Sequence, residues 1–273
     1  MRSILASIFR LIFKINFFRE KYFAFHQYLF SRYHPFRGVK KDVLYRNSFN
    51  MNLNLDDWIQ QQIYFLGDYE KNEINYLYHV LKEGDCFIDV GGNIGLFSLN
   101  ASKLAGETGK VYAFEAFKPN YQIFKTHLKA NNIKNVTLKH LAVSSGPGVL
   151  EIFYNEAYDN AGMASSYLSD YTAKETVQSI DLDTYVRNKN LSKINLIKID
   201  IEGGEFSALL GMNEVLNTFK PKIIIEINHV ALKNSGHSEE EIKDFFTAKN
   251  YQLVNILSKN ENSYNAVFEF VAS

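Results

Sequence analysis

From Cys86 to the C-terminus, apolar runs of strand length alternate with stretches whose apolar residues recur at helical spacing, a pattern that predicts strands and helices in turn. The chain reads as a strand over 86–90, a helix over 94–105, a strand over 110–114, a helix over 120–131 and a strand over 136–139. Pro119 suits the first turn of the second helix, because its fixed φ fits there and no N–H is left unpaired. After Ala142 the pattern changes: Gly146 and Gly148 mark a turn, 149–154 reads as a strand, and 155–171 is a polar loop with Gly162 and the pair Ser165 and Ser166. Loops of that length in compact domains usually serve function or motion. Alternation resumes with a strand over 194–200, helices between Glu205 and Phe219, a strand over 222–227 behind Pro221, and a helix over 239–249. Two final apolar runs, 251–257 and 264–271, flank the polar turn SKNENS and read as an antiparallel hairpin at a sheet edge. The fold class is therefore α/β, a sandwich on a mostly parallel sheet.

Upstream, 43–55 alternates loosely as a short hairpin, and an aromatic-rich helical stretch runs from Asp56 through Leu81 to Gly84. The expected organisation is an arm over 1–41, a segment over 42–84 that caps the core, and a main domain over 85–273. The 273 residues are 46% hydrophobic and 15% aromatic, a composition that belongs to folded globular chains and excludes a disordered one. The single cysteine, Cys86, sits inside the apolar strand CFIDV, so it reads as a buried small hydrophobe in a protein of the reducing cytoplasm. The seven histidines are scattered, with no zinc spacing, and the acids match no calcium loop, so no metal is expected.

A net charge of zero hides an asymmetry. Residues 1–41 carry Arg2, Arg10, Lys14, Arg19, Lys21, Arg32, Arg37, Lys40 and Lys41 against Glu20 alone. The apolar stretch ILASIFRLIFKINFF is interrupted by Arg10 and Lys14, short of the roughly 18 uninterrupted residues of a spanning helix. It also lacks the unbroken apolar region and small-residue cleavage site of a signal peptide. On a continuous helix of about 100° per residue, Arg10, Lys14 and Lys21 share one face and leave Ile8, Leu11, Ile12, Ile15 and the aromatics for others, the pattern of a basic interfacial helix. Packing on its own domain or on a partner is the leading reading, peripheral contact with an anionic inner membrane surface is the alternative, and nucleic acid ranks below both.

The densest candidate chemistry lies in FIDVGGNIG, residues 87–95. An apolar strand ends in Asp89 and breaks into a turn with Gly91, Gly92 and Gly95, and Glu115 closes the next strand, VYAFE. Such a turn with an acid about 20 residues on suits a nucleotide-like ligand whose ribose hydroxyls the acid accepts. Asp89 argues against a dinucleotide, because a carboxylate at the strand end repels a pyrophosphate but holds an ammonium and tolerates a sulfonium. S-adenosylmethionine carries both cations and no phosphate. Further strand ends are polar: KIDIEGGE places Asp200, Glu202 and Glu205 after one strand, and EINH places Glu226, Asn228 and His229 after another. Asp200 and Glu202 read as groups that orient an acceptor hydroxyl or take its proton, with His229 as the rival base. Glu226, inside the apolar KIIIEIN, needs a partner or a role, and Lys198 is the favoured partner.

FIDVGGNIGLFS, VYAFEAFKPN, LAVSS, SIDLDTYV, IKIDIEGGE and IIIEIN, in that order and spacing, resemble the successive blocks of FkbM-type methyltransferases. FLGDYEKNEI upstream is similar to the segment that precedes their first glycine turn. The likeness spans roughly residues 45–272; its one departure is Gly92, where the family usually has alanine. It implies a class I methyltransferase sandwich, Rossmann-like, with a mostly parallel seven-stranded sheet and an antiparallel C-terminal hairpin. It also implies S-adenosylmethionine as donor and O-methylation of a sugar or natural product. On that basis Asp89, Gly91, Asn93 and Gly95 cradle the methionine end, Glu115 holds the ribose and Ala142 lines the adenine side. Catalysis is expected to rest on alignment for in-line displacement, with aromatics of 56–81 and the 155–171 loop shaping the acceptor site. The expected acceptor is a hydroxyl of a glycan, glycolipid or polyketide-like molecule. Rival readings are a methyltransferase for a nucleic-acid base or an amine, a nicotinamide oxidoreductase, and a non-catalytic S-adenosylmethionine-binding module. The base-methylating rival lacks its Asn/Asp-Pro-Pro-aromatic signature here, since Asp200 is followed by Ile201, Glu202 and Gly203. The oxidoreductase is disfavoured by Asp89 and by the incomplete glycine spacing.

Overall fold

The computed structural model describes residues 1–155, 164–168 and 170–272, which fall into two compact units divided after Lys71. The division lies inside the segment expected to cap the core.

The first unit opens with short helices, α1 (Arg2–Ile12), α2 (Asn16–Arg19) and α3 (Tyr22–Phe25), then a π-helical turn at His26–Phe30 and α4 (Ser31–Tyr33). An antiparallel hairpin, β1 (Lys40–Tyr45) and β2 (Phe49–Asn54), leads into α5 (Trp58–Leu66). The unit is held by rings: Phe13, Tyr22, Phe30 and Phe36 are buried with Phe65. They meet largely edge to face, Phe13 to Tyr22 at 5.2 Å and Phe30 to Phe36 at 4.8 Å between centroids, the geometry that ring quadrupoles favour. The arm is not one helix, so the single basic face expected of it does not form. Ile15 is extended (φ −83°, ψ 121°) between α1 and α2, which places Lys14 and Lys21 outside α1, and Arg10 lies over the ring of Tyr64 at 4.7 Å. The helical stretch expected over 56–81 is likewise broken. Gly67 caps α5 in the left-handed region (φ 73°), its N–H donating to Ile63, a conformation that glycine adopts without a Cβ clash.

The second unit takes up α6 (Lys71–Val80) from Asn72 onward and continues through β3 (Cys86–Val90), α7 (Leu96–Ala105), β4 (Lys110–Phe114), α8 (Lys118–Ala130) and β5 (Val136–Lys139). There follow β6 (Ala142–Val143), β7 (Gly148–Tyr154), β8 (Ala173–Ile180), α9 (Leu182–Lys189), β9 (Leu196–Ile199), α10 (Glu205–Leu210) and α11 (Asn213–Phe219). The unit closes with β10 (Lys222–Asn228), α12 (His229–Asn234), α13 (Glu239–Thr247), β11 (Tyr251–Lys259) and β12 (Ser263–Phe270). Seven strands form one sheet in the order β11-β12-β10-β9-β3-β4-β5. Pairings from β5 to β10 are parallel, and β12 runs antiparallel to β10 and to β11. This is the class I sandwich that the sequence led us to expect. Ile88, Val90, Ile197, Ile199, Ile223 and Ile225 are buried in its core, as the continuous apolar runs of a sheet covered on both faces require.

Two features of this unit were not expected. β6, β7 and β8 form a separate three-stranded sheet. Glu73 of α6, an acid in a polar stretch, is buried and accepts hydrogen bonds from Ser258 of β11 and from Asn265 of β12, the latter at 3.0 Å. The polar loop expected over 155–171 lies partly outside the described residues.

Candidate active site

β3 is flanked by β4 on one side and β9 on the other, so the strand order reverses between β3 and β9, and a crevice opens at their carboxyl ends. The turn after β3 is drawn tightly into that crevice: the N–H groups of Gly91 and Gly92 both donate to the carbonyl of Phe114, at 3.0 and 2.9 Å. Gly91 has φ +87°, and a Cβ placed there would lie 1.8 Å from the backbone carbonyl oxygen of Asp200. Gly95 has φ +94°, and its Cβ would lie 2.3 Å from the ring of Phe124 on α8. The sequence reading assigned these glycines to the approach of a ligand. The structure supplies a reason within the protein, namely that the turn packs against the end of β9 and against α8. Phe124 also stands 2.8 Å from the position of a Cβ on Gly92, which accounts for glycine at that place.

Acids gather around this turn. Asp89 is fully buried; its Oδ2 accepts from the Ser98 hydroxyl at 2.6 Å, and its Oδ1 is buried with no hydrogen-bond partner among the described residues. Burial pushes the Asp89 carboxyl above the ordinary carboxylate range, Lys198 and Ser98 pull it back, and Asp200 raises it further. Glu115 is tied to the turn. One oxygen accepts from the Asn93 N–H at 2.7 Å and the other from the Phe117 N–H at 2.8 Å. Burial pushes Glu115 up to about 7 against the pull of those two bonds, and Asp89 and Asp200 add to the rise. Ala142 is buried in β6 beside Ser179 of β8.

Sequence reasoning named Lys198 as a partner for Glu226 but did not place it beside Asp89 and Asp200. It sits in β9 directly across from Asp89, and its ammonium is buried, 2.6 Å from Asp200 Oδ2 and 4.4 Å from the centre of the Phe97 ring. A buried cation has to be paired, and a lysine inside an otherwise apolar strand was the available signal.

Asp200, Glu202 and Glu226 come together, one oxygen of each lying within 4.8 Å of the others. The β9–β10 register sets Ile199 opposite Ile225, so the residues that follow, Asp200 and Glu226, stand side by side at the crevice. Such a trio offers the oxygen donors that hard cations take. Glu202 holds a left-handed backbone conformation (φ 53°), uncommon for a residue with a side chain and a mark of a position held by its surroundings. The Ser165 hydroxyl donates to its carbonyl at 2.6 Å, so a described residue of the polar loop reaches this end of the sheet. Glu205 serves the backbone: it is buried, accepts from the N–H groups of Ile201 and Gly203, each at 2.9 Å, and is pushed up to about 7 by burial. His229 is engaged elsewhere. Its Nε2 lies 2.9 Å from Glu239 on α13, and its side chain is about half exposed.

The family profile described as the methyltransferase FkbM domain matches residues 89–253. Among curated relatives, the hexuronic acid methyltransferase AglP of Haloferax volcanii is 27% identical over 161 residues, covering 58% of this chain and 62% of that protein. A protein called methyltransferase 1 from Beauveria bassiana is 24% identical over 165 residues, covering 52% and 65%. The AMB antimetabolite synthetase AmbE of Pseudomonas aeruginosa is 24% identical over 214 residues, 65% of this chain and 10% of that protein. The chain thus spans less than two thirds of the length of each. Among solved structures, methyltransferase FkbM from Methylobacillus flagellatus superposes with a TM-score of 0.47 at 16% identity, over 78% of this chain and 55% of that one.

Proposed function

The chain belongs to the methyltransferase FkbM domain family, and from that membership and the chemistry of the crevice we propose that it is an S-adenosylmethionine-dependent O-methyltransferase. The observation that carries this reading is Asp89, a fully buried carboxylate whose Oδ1 has no protein partner among the described residues, set beside the glycine turn. A buried acceptor oxygen is costly to leave unmatched, and an ammonium supplies the charge and the donor that it lacks. The surroundings support a cation over a phosphate, since Asp89, Glu115, Asp200, Glu202 and Glu226 cluster there with Lys198 as the buried counter-charge.

When bound, S-adenosylmethionine supplies an electrophilic methyl group on its sulfonium. The turn Gly91, Gly92, Asn93 and Gly95 fixes the methionine end, with Asp89 Oδ1 accepting from the ammonium. Glu115 keeps a lone pair on each oxygen beyond its two backbone bonds and accepts from the ribose hydroxyls. Ala142 lines the adenine side. Asp200 and Glu202 would orient the acceptor hydroxyl and take its proton. His229, held by Glu239, is the weaker candidate for that proton.

The acceptor in this reading is a hydroxyl of a glycan, glycolipid or polyketide-like molecule, and kinship with AglP supports the sugar class. The test is mass spectrometry of glycans and lipids extracted from cells with and without the gene. A species heavier by one methyl substitution, present only with the gene, is the expected result. Identical extracts, together with methyl incorporation into nucleic acid or amines, would move the acceptor to a rival class.

A further inference from the structure

α1 has two apolar faces, and only one of them is used. Ala6 and Phe13 are buried, and Phe9 packs against Phe30 at 5.2 Å and Phe36 at 5.8 Å, which anchors the helix on the aromatic core of its own unit. On the opposite side Ile4, Ile8, Leu11 and, just beyond the helix, Ile15 are 67, 48, 62 and 55% exposed. Steps of four and three residues put Ile4, Ile8 and Leu11 on one stripe, and the rings of Phe17 and Phe23 are exposed as well. Single exposed apolar residues are ordinary, but a contiguous row rimmed by charge marks a contact surface.

The rim identifies the occupant. Lys14, Arg19 and Lys21 are exposed on the segment that follows α1, Arg2 reaches the Arg37 carbonyl at 3.3 Å, and residues 1–41 contain nine basic side chains against one acid. A second copy docked across a two-fold axis would bring two such basic rims face to face. Nucleic acid would meet the bases and leave the isoleucines and leucine in water. An anionic lipid surface satisfies both halves at once, with headgroups for the cations and an acyl boundary for the aliphatic row. At 11 residues α1 is too short to cross a bilayer, so it lies along the surface. We propose that the exposed stripe of α1 and its basic rim form a docking site for an anionic membrane surface. The proposal stands independently of the reading of the crevice.

The experiment is co-sedimentation of the full chain with phosphatidylglycerol-containing vesicles and with pure phosphatidylcholine vesicles, at low and at high salt. Binding to the anionic vesicles that falls as salt rises is expected, because exposed charges are screened within about 8 Å at physiological ionic strength. The pair Ile8→Glu with Leu11→Glu should lower vesicle partition by at least about tenfold without shifting the unfolding temperature, since both side chains face solvent. Lys14→Glu with Lys21→Glu should weaken binding to anionic vesicles alone. The proposal is overturned if the parent protein sediments with neither vesicle, if anionic and neutral vesicles bind it equally, or if the aliphatic pair binds as its parent does. A concentration-dependent dimer dissolved by Ile8→Glu with Leu11→Glu, in protein that ignores vesicles, would assign the face to a second copy instead.

Discussion

Gly91→Ala is expected to destabilise the second unit by about 3 kcal/mol or more and to abolish cofactor binding in whatever fraction folds. Two costs add. A side chain in the left-handed region costs about 1–2 kcal/mol, and crowding a packed interior typically costs about 1–3 kcal/mol. Here the obstacle is the backbone carbonyl of Asp200, 1.8 Å from the new methyl, which no rotamer change relieves. Relief requires β3 and β9 to part at the end where the crevice is built. Urea denaturation followed by far-UV circular dichroism measures the loss. A midpoint equal to that of the parent protein would mean that the turn is not clamped against β9 as described.

Asp200→Asn and Glu202→Gln are expected to separate chemistry from binding. Each keeps its shape and loses its charge, so cofactor affinity should stay nearly intact. Turnover should fall by about 10²- to 10⁴-fold for whichever residue takes the proton. The Asp200 variant carries an added consequence, because it strips Lys198 of the carboxylate 2.6 Å away. With that carboxylate neutralised, the Lys198 ammonium bears more strongly on Asp89 across the strand, so any loss of cofactor affinity should appear in Asp200→Asn and not in Glu202→Gln. His229→Ala serves as the reference, expected to leave turnover near that of the parent because its imidazole is paired with Glu239. A larger loss there would transfer the base role to His229, and normal turnover in all three would leave alignment alone as the source of catalysis.

What the sequence disclosed and what it withheld follow from the range of the interactions involved. β3, β9 and β10 were legible because a strand buried on both faces reads as a local apolar run, and the glycine turn because its residues are contiguous. β8 escaped because AKETVQSI buries only Val177 and Ser179, a pattern too sparse to separate from loop. The meeting of Asp200, Glu202 and Glu226 depends on the β9–β10 register, which joins residues more than twenty positions apart. Lys198 was read as a partner for Glu226, and its place across from Asp89 is a fact of pairing. His229 was read without Glu239, which lies on another helix. The arm shows the complementary failure. Assigning charges to one face presumes an unbroken helix, and the extended backbone at Ile15 ends that premise after Phe13. What survives is the exposed apolar row from Ile4 to Ile15, with exposed cations supplied by the residues that follow α1 in place of one shared helical face.

The central claim, a crevice built for a cationic methyl donor, is tested most directly by calorimetric titration of the purified chain. S-adenosylmethionine and its demethylated product should bind one to one and nicotinamide dinucleotides should not. Glu115→Ala should weaken binding of both by about 1.5–3 kcal/mol, the value of a lost hydrogen bond to a charged acceptor. Tight binding of a dinucleotide, or unchanged affinity in Glu115→Ala, would contradict the account.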